Sequence, residues 1–206
     1  MRFMITYLII FFIFCAWLFY EQRKSSKKTR KQSEEFWERE NKANHTRNKD
    51  ISDLPIFHLQ EEDIPIIDSN DSSVQYYIEQ LKNYTQLPLI DLSKYSNTDL
   101  KLAYGVGNFK LLSDYEENFN NLFIIFTNLA RSCDKVGLYD DALKVYRLSI
   151  KYGSVRASDY EEMARVFLHK DDPEALRSLI TEVKEGDLPR KENIINSLKN
   201  ILLEYQ

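Results

Sequence analysis

The sequence predicts an all-α fold: an N-terminal transmembrane helix followed by a short solenoid of helical hairpins. Three observations lead there. Phe3 to Tyr20 is eighteen residues long and carries no charge. The second half of the chain is a series of runs with apolar residues at three-and-four spacing, punctuated by glycine or Asp-Pro. Part of that half also reproduces itself at a shift of 34 residues. No segment alternates convincingly in the manner of a strand.

At the helical rise the apolar run measures about 27 Å, close to a hydrocarbon core of about 30 Å. Trp17, Tyr7 and Tyr20 lie towards its ends, where amphipathic rings favour the headgroup region. A cleaved signal peptide is the rival reading. The exit CAWLFYEQ places bulky residues where a peptidase needs small ones, and Phe14 before Cys15 argues against lipidation. Residues 1–20 are therefore expected to stay as an anchor.

Residues 21–50 form a basic and charged juxtamembrane stalk, helical or loose, with Phe36 and Trp37 as its large apolar side chains. Arg23, Lys24, Lys27, Lys28, Arg30 and Lys31 face only Glu21 there, while Arg2 stands alone on the other side. The excess of Lys and Arg predicts a single-pass protein of the cytoplasmic membrane with its C-terminal part in the cytoplasm. The same six residues are candidates for contact with anionic lipid headgroups. An exported domain is the alternative orientation.

Beyond residue 31 the chain holds 21 basic and 31 acidic side chains, a net charge of −10. A nucleic-acid binder would carry its positive field on the folded part, so that class is excluded. Cys15 and Cys133 form neither a disulfide framework nor a cysteine metal site. Residues 51–70 place Ile51, Leu54, Ile56, Phe57, Leu59, Ile64, Ile66 and Ile67 around Pro55 and Pro65, which predicts an extended ribbon across the folded part or a docking strand for a partner.

Residues 71–206 are read as one helical-repeat domain. A helix starts after Asp71, with Ser72 or Ser73 as cap and Val74, Tyr77, Ile78, Leu81 and Tyr84 on one face. A second starts at Asn97, and Gly105 and Gly107 then loosen the chain. From Asp114 a long helix runs to Gly137, and the next ends at Gly153. Helices over Ser158–His169 and Pro173–Lys184 follow, and a last one from about Pro189 to Tyr205. The pairs Asp140–Asp141 and Asp171–Asp172 precede helix starts, where the dipole favours negative charge.

Phe126, Leu129, Ala130, Cys133, Ala142 and Tyr146 follow an aromatic, leucine, small, apolar, small, aromatic order, and Tyr160, Met163, Ala164, Phe167, Leu176 and Ile180 recur 34 residues on. This pattern resembles the tetratricopeptide repeat. The repeats span about 123–156 and 157–187, with 189–205 as a capping helix. Leu176 departs from the pattern where a small residue is expected, with Ala175 as a substitute after a one-residue shift. Ser154 stands where the family has proline. The runs FWERENKANHTRNKDIS, IFHLQEEDIPI and LKLAYGVGNFKLLSDYEENF are also similar to a group of small clostridial membrane proteins. That resemblance implies an anchor plus a helical-repeat domain, and no activity.

Tetratricopeptide domains commonly bind extended peptides in the groove of their first helices. The resemblance places Thr127, Arg131, Asp134, Glu161, Arg165 and Leu168 there, with Arg131 and Arg165 one period apart. Arg131 with Asp134 and Glu161 with Arg165 also have the spacing of helical salt bridges. His45, His58 and His169 share no metal-ligand spacing, and GVG lacks the remaining parts of a phosphate loop. The expected function is a non-catalytic, membrane-anchored scaffold or adaptor for an unknown protein or peptide, without cofactor, metal or nucleic acid. The alternative is a membrane-anchored enzyme whose site is not visible in the sequence.

Overall fold

A computed structural model describes the backbone from Arg2 to Tyr205, and its side chains except those of residues 2–6, 8–10 and 28. Among the described residues there are eight α-helices and a single 3-10 turn, and the only β pairing is an isolated antiparallel bridge between Phe57 and Leu89. The chain divides into two compact units. Met1–Asp53 joins Ser93–Leu111 in the first, and Leu54–Leu92 joins Leu112–Gln206 in the second.

The first unit begins with α1, an unbroken helix over Arg2–Asn44. No Gly or Pro interrupts this stretch, and Glu, Lys, Arg and Gln dominate it after Tyr20. The stalk is therefore helical almost throughout. The anchor expected over 1–20 falls partly on residues whose side chains lie outside the described set. Among the described residues no helix is long and apolar enough to cross a membrane. The described part of that segment nonetheless exposes Phe11, Phe12, Ile13 and Phe14 at four consecutive positions, which lie all round a helix.

The far end of α1 packs on α3, which spans Asn97–Tyr104. Helix α3 starts at Asn97, as the sequence reading placed it, and Ser96 caps it in a capping box with Asp99. Ala43 is fully buried. Around it the Thr98 hydroxyl donates to Glu40, Arg39 pairs with Asp99, and Lys101 Nζ reaches Asn44 Oδ1 at 2.9 Å. The chain then turns back along α3, with Lys49 N–H donating to the Tyr104 carbonyl at 3.0 Å. Gly105 makes this approach possible. Its φ is +90°, and a Cβ there would stand 2.5 Å from the Arg47 carbonyl oxygen.

Because one left-handed glycine completes the turn, α4 starts at once and covers Val106–Lys135. The sequence reading placed that start at Asp114. Gly107 is taken into the helix, where its N–H donates to Asn48 Oδ1 at 2.8 Å.

In the second unit the ribbon crosses the folded part. Phe57 and Leu89 exchange backbone hydrogen bonds at 3.0 and 2.9 Å, and Leu59, Leu89, Ile90 and Leu92 are buried. α2 occupies Ser72–Tyr84. Its cap is Asp71, whose carboxylate accepts from Ser73 and Val74 N–H, so neither serine caps it.

Four further helices follow the second-unit part of α4: α5 (Tyr139–Lys151), α6 (Ala157–His169), α7 (Pro173–Glu185) and α8 (Lys191–Tyr205). Short connections bring α5 beside α6, α6 beside α7 and α7 beside α8, and α8 also packs on α6. Asp140 and Asp141 sit inside the first turn of α5, with Leu138 at the cap position, whereas Asp172 caps α7 by accepting from Ala175 N–H. The core includes Leu122, Phe126, Leu129, Tyr146, Met163, Leu179 and Leu198. Ala130, Ala142 and Ala164 are fully buried. Leu176 is also fully buried while Ala175 is half-buried, so the larger side chain is accommodated without a shift of register.

Candidate functional site

Side-chain bonds show how the helices stand beside one another. Thr127 Oγ1 donates to Asp159 Oδ1 at 3.0 Å, Arg131 donates to Glu162 at 2.9 Å, and Asp134 lies 2.8 Å from His169 Nδ1. The partner numbers rise together, so α4 and α6 run parallel. Arg147 joins Glu182 at 2.6 Å and links α5 to α7. Lys170 with Asp140 and Tyr205 with Asp171 add two more. All six pairs are separated by 30 to 35 residues.

Turn geometry follows the same shift. Gly137 has φ +79°, its N–H donates to Asp134, and Leu138 N–H donates to Cys133. Thirty-four residues on, Asp171 has φ 58°, its N–H donates to Leu168, and Asp172 N–H donates to Phe167. Aspartate tolerates the left-handed region better than most residues, which explains how it stands in for glycine.

The candidate groove residues divide. Thr127 is only 4% exposed and points inward to Asp159. Arg131 is exposed but turns across to Glu162 rather than along its own helix to Asp134; this hydrogen bond raises the guanidinium pKa further. Asp134 is engaged by His169. Glu161 is half-buried. Arg165 and Leu168 line a cleft of about 190 Å³ with His169, Ile201, Glu204 and Tyr205, between α6 and α8. The structure therefore brings Arg165 and Leu168 together beside α8, joins Arg131 and Asp134 to α6, and withdraws Thr127 from the surface.

Sequence reasoning missed the buried centre of this region. Asp159 is fully buried, and its carboxylate accepts from Thr127, from Ser154 and, at 3.4 Å, from Ser149. Ser154 lies in the connection before α6 and is itself buried. A hydroxyl at that position, five residues before an acid in the first turn of a helix, was the available signal.

Tyr152 ties the ribbon to α5. Its hydroxyl donates to Asp63 Oδ2 at 2.6 Å and accepts from Gln60 N–H at 3.0 Å, while Lys151 Nζ lies 2.5 Å from Asp63. Burial, then the bond to Asp63, push the phenol up to about 12. The Lys151 and Tyr152 bonds hold the Asp63 carboxyl below its ordinary value. The ribbon also lines a cleft of about 380 Å³ with Ile64, Pro65, Ile66, Ile67, Ile78 and Lys82, where Ile66 is 99% exposed.

On α1, Arg23, Lys24, Lys27, Arg30 and Lys31 are exposed; the side chain of Lys28 lies outside the described set. Among the described residues no group of three or more His, Cys, Asp or Glu is placed to hold a metal ion. No family model, curated protein or solved structure matches the chain.

Proposed function

We propose that this chain is a membrane-anchored, non-catalytic scaffold whose tetratricopeptide-like hairpins hold another protein or peptide at the cytoplasmic face. One observation carries the repeat reading: cross-helix pairs and left-handed turns recur at about one 34-residue period. Support for the anchor comes from the uncharged run Phe3–Tyr20 and from the apolar side chains that α1 exposes on all sides. A helix apolar all round has no aqueous face. The basic side of the run sets the orientation.

Arg165 is the cleaner probe of the groove, because Arg131 is engaged with Glu162. Affinity capture from native membranes with the full chain, compared with Arg165→Glu and Leu168→Glu, tests the groove. Loss of a specific protein from both variants at unchanged helix content supports the reading; unchanged recovery overturns the groove assignment. A reporter fused after Gln206 that is active only outside the cytoplasm overturns the orientation.

A further inference from the structure

The unbroken helix between Tyr20 and Asn44 sorts the stalk into two different faces. At about 100° per residue, Arg23, Lys24, Lys27, Arg30 and Lys31 fall within an arc of about 120°, and position 28 lies about 40° beyond its edge. Gln22, Ser25, Ser26, Thr29, Gln32 and Ser33 fall within an opposite arc of similar width. A topology signal needs only the number of cations on one side of a membrane. It does not need them on one face of a helix.

The two faces also differ in how their polar groups are satisfied. Thr29 Oγ1 donates to the Ser25 carbonyl of its own helix at 3.0 Å. Among the described residues Arg23, Lys24 and Lys27 enter no ion pair. Arg30 and Lys31 meet Glu34 and Glu35 at 3.1 and 3.7 Å, with the cationic side chains 83% and 78% exposed. Those contacts are solvent-screened and easily exchanged.

Resting on the anchor reading above, we propose that this cationic face seats the anionic headgroups of phospholipids, so that α1 leans towards its basic side. Arg23 lies about 5 Å and Lys31 about 17 Å beyond Tyr20 along the axis. A headgroup layer is about 5–7 Å deep on each side. An upright helix brings the nearest cations within reach of it, and long side chains reach back further. A lean brings Arg30 and Lys31 down as well, and only a one-sided face gains from leaning. Each cation that reaches an anionic surface strengthens the contact about fivefold.

The test uses the full chain carrying Trp37→Phe, reconstituted in phosphatidylcholine vesicles with a minor fraction of phosphatidylglycerol. Either lipid carries bromine in its acyl chains, and quenching of Trp17 reports which lipid surrounds the helix. Brominated phosphatidylglycerol is expected to quench at least about threefold more per mole than brominated phosphatidylcholine, and the excess to fall in high salt. A variant with Ser26→Lys, Lys27→Ser, Thr29→Arg and Arg30→Thr keeps the charge and the span but breaks the face, and is expected to lose most of the excess. Equal preference in both proteins, or none in the parent, overturns the cationic face while the anchor stands. No quenching by either lipid overturns the anchor itself.

Discussion

Replacing Asp159 by Ala removes the acceptor that Thr127, Ser149 and Ser154 share in the interior of the second unit. Thr127 retains the Phe123 carbonyl at 2.8 Å as a second acceptor, and the Ser149 contact is long. The loss is therefore dominated by Ser154, with a contribution from Thr127. A hydrogen bond to a charged group contributes about 1.5–3 kcal/mol, and a stranded buried hydroxyl costs about 1–3 kcal/mol. Together these give about 3–5 kcal/mol of destabilisation. Hydrogen exchange of the full chain in detergent, read by mass spectrometry on peptides from α4 to α6, converts this to exchange at least about 100-fold faster. Asp159→Asn keeps the size and one carbonyl acceptor, and is expected to cost about 1–2 kcal/mol. Acceleration below about fivefold in the alanine variant would refute the assignment of Asp159 as the polar joint of the hairpins.

Gly105→Ala sets a Cβ against the Arg47 backbone at a positive φ, and is expected to cost about 2 kcal/mol or more; limited proteolysis should then cut sooner between residues 44 and 53. Burial, with Asp141 and Asp71 adding to it, pushes the Cys133 thiol up to about 11. In a Cys15→Ser background, maleimide at pH 8 should leave Cys133 unlabelled until urea is added, and labelling at the rate of a free thiol would contradict its burial. Asp63 has a lowered folded pKa, so its contribution is present above the ordinary value of 3.8 and disappears as pH falls through the folded one. Chemical denaturation between pH 7 and 2 should therefore show an acid-side loss in the parent that is smaller in Asp63→Asn.

Much of the helical layout was legible because its signals are local. Gly137, Gly153 and the Asp172–Pro173 pair mark helix ends through backbone geometry that a residue carries wherever it sits. The apolar periodicity of α2 and of α5 to α8 survives in the structure for the same reason. Where two local signals competed, the reading failed. Gly105 and Gly107 looked alike as breakers, yet only Gly105 adopts a positive φ, and Asn48 holds Gly107 inside α4. At α2 the acidic cap Asp71 prevailed over the adjacent serines.

Candidate groove residues were less legible, because spacing on one helix does not say which way a side chain turns. Arg131 had Asp134 within reach on its own helix and paired with Glu162 on another. Thr127 had the spacing of a surface position and is buried against Asp159.

By itself the sequence determined the uncharged N-terminal run, the one-sided excess of Lys and Arg after it, the helical class and the 34-residue period. These depend on composition and on the fixed geometry of one helix. Only the tertiary structure decided that the end of α1 docks on α3, that the ribbon is tied down at Tyr152, and that Asp159 joins α4, α5 and α6. Each of these is a meeting of residues far apart in the chain, chosen by burial and hydrogen-bond satisfaction when the helices pack.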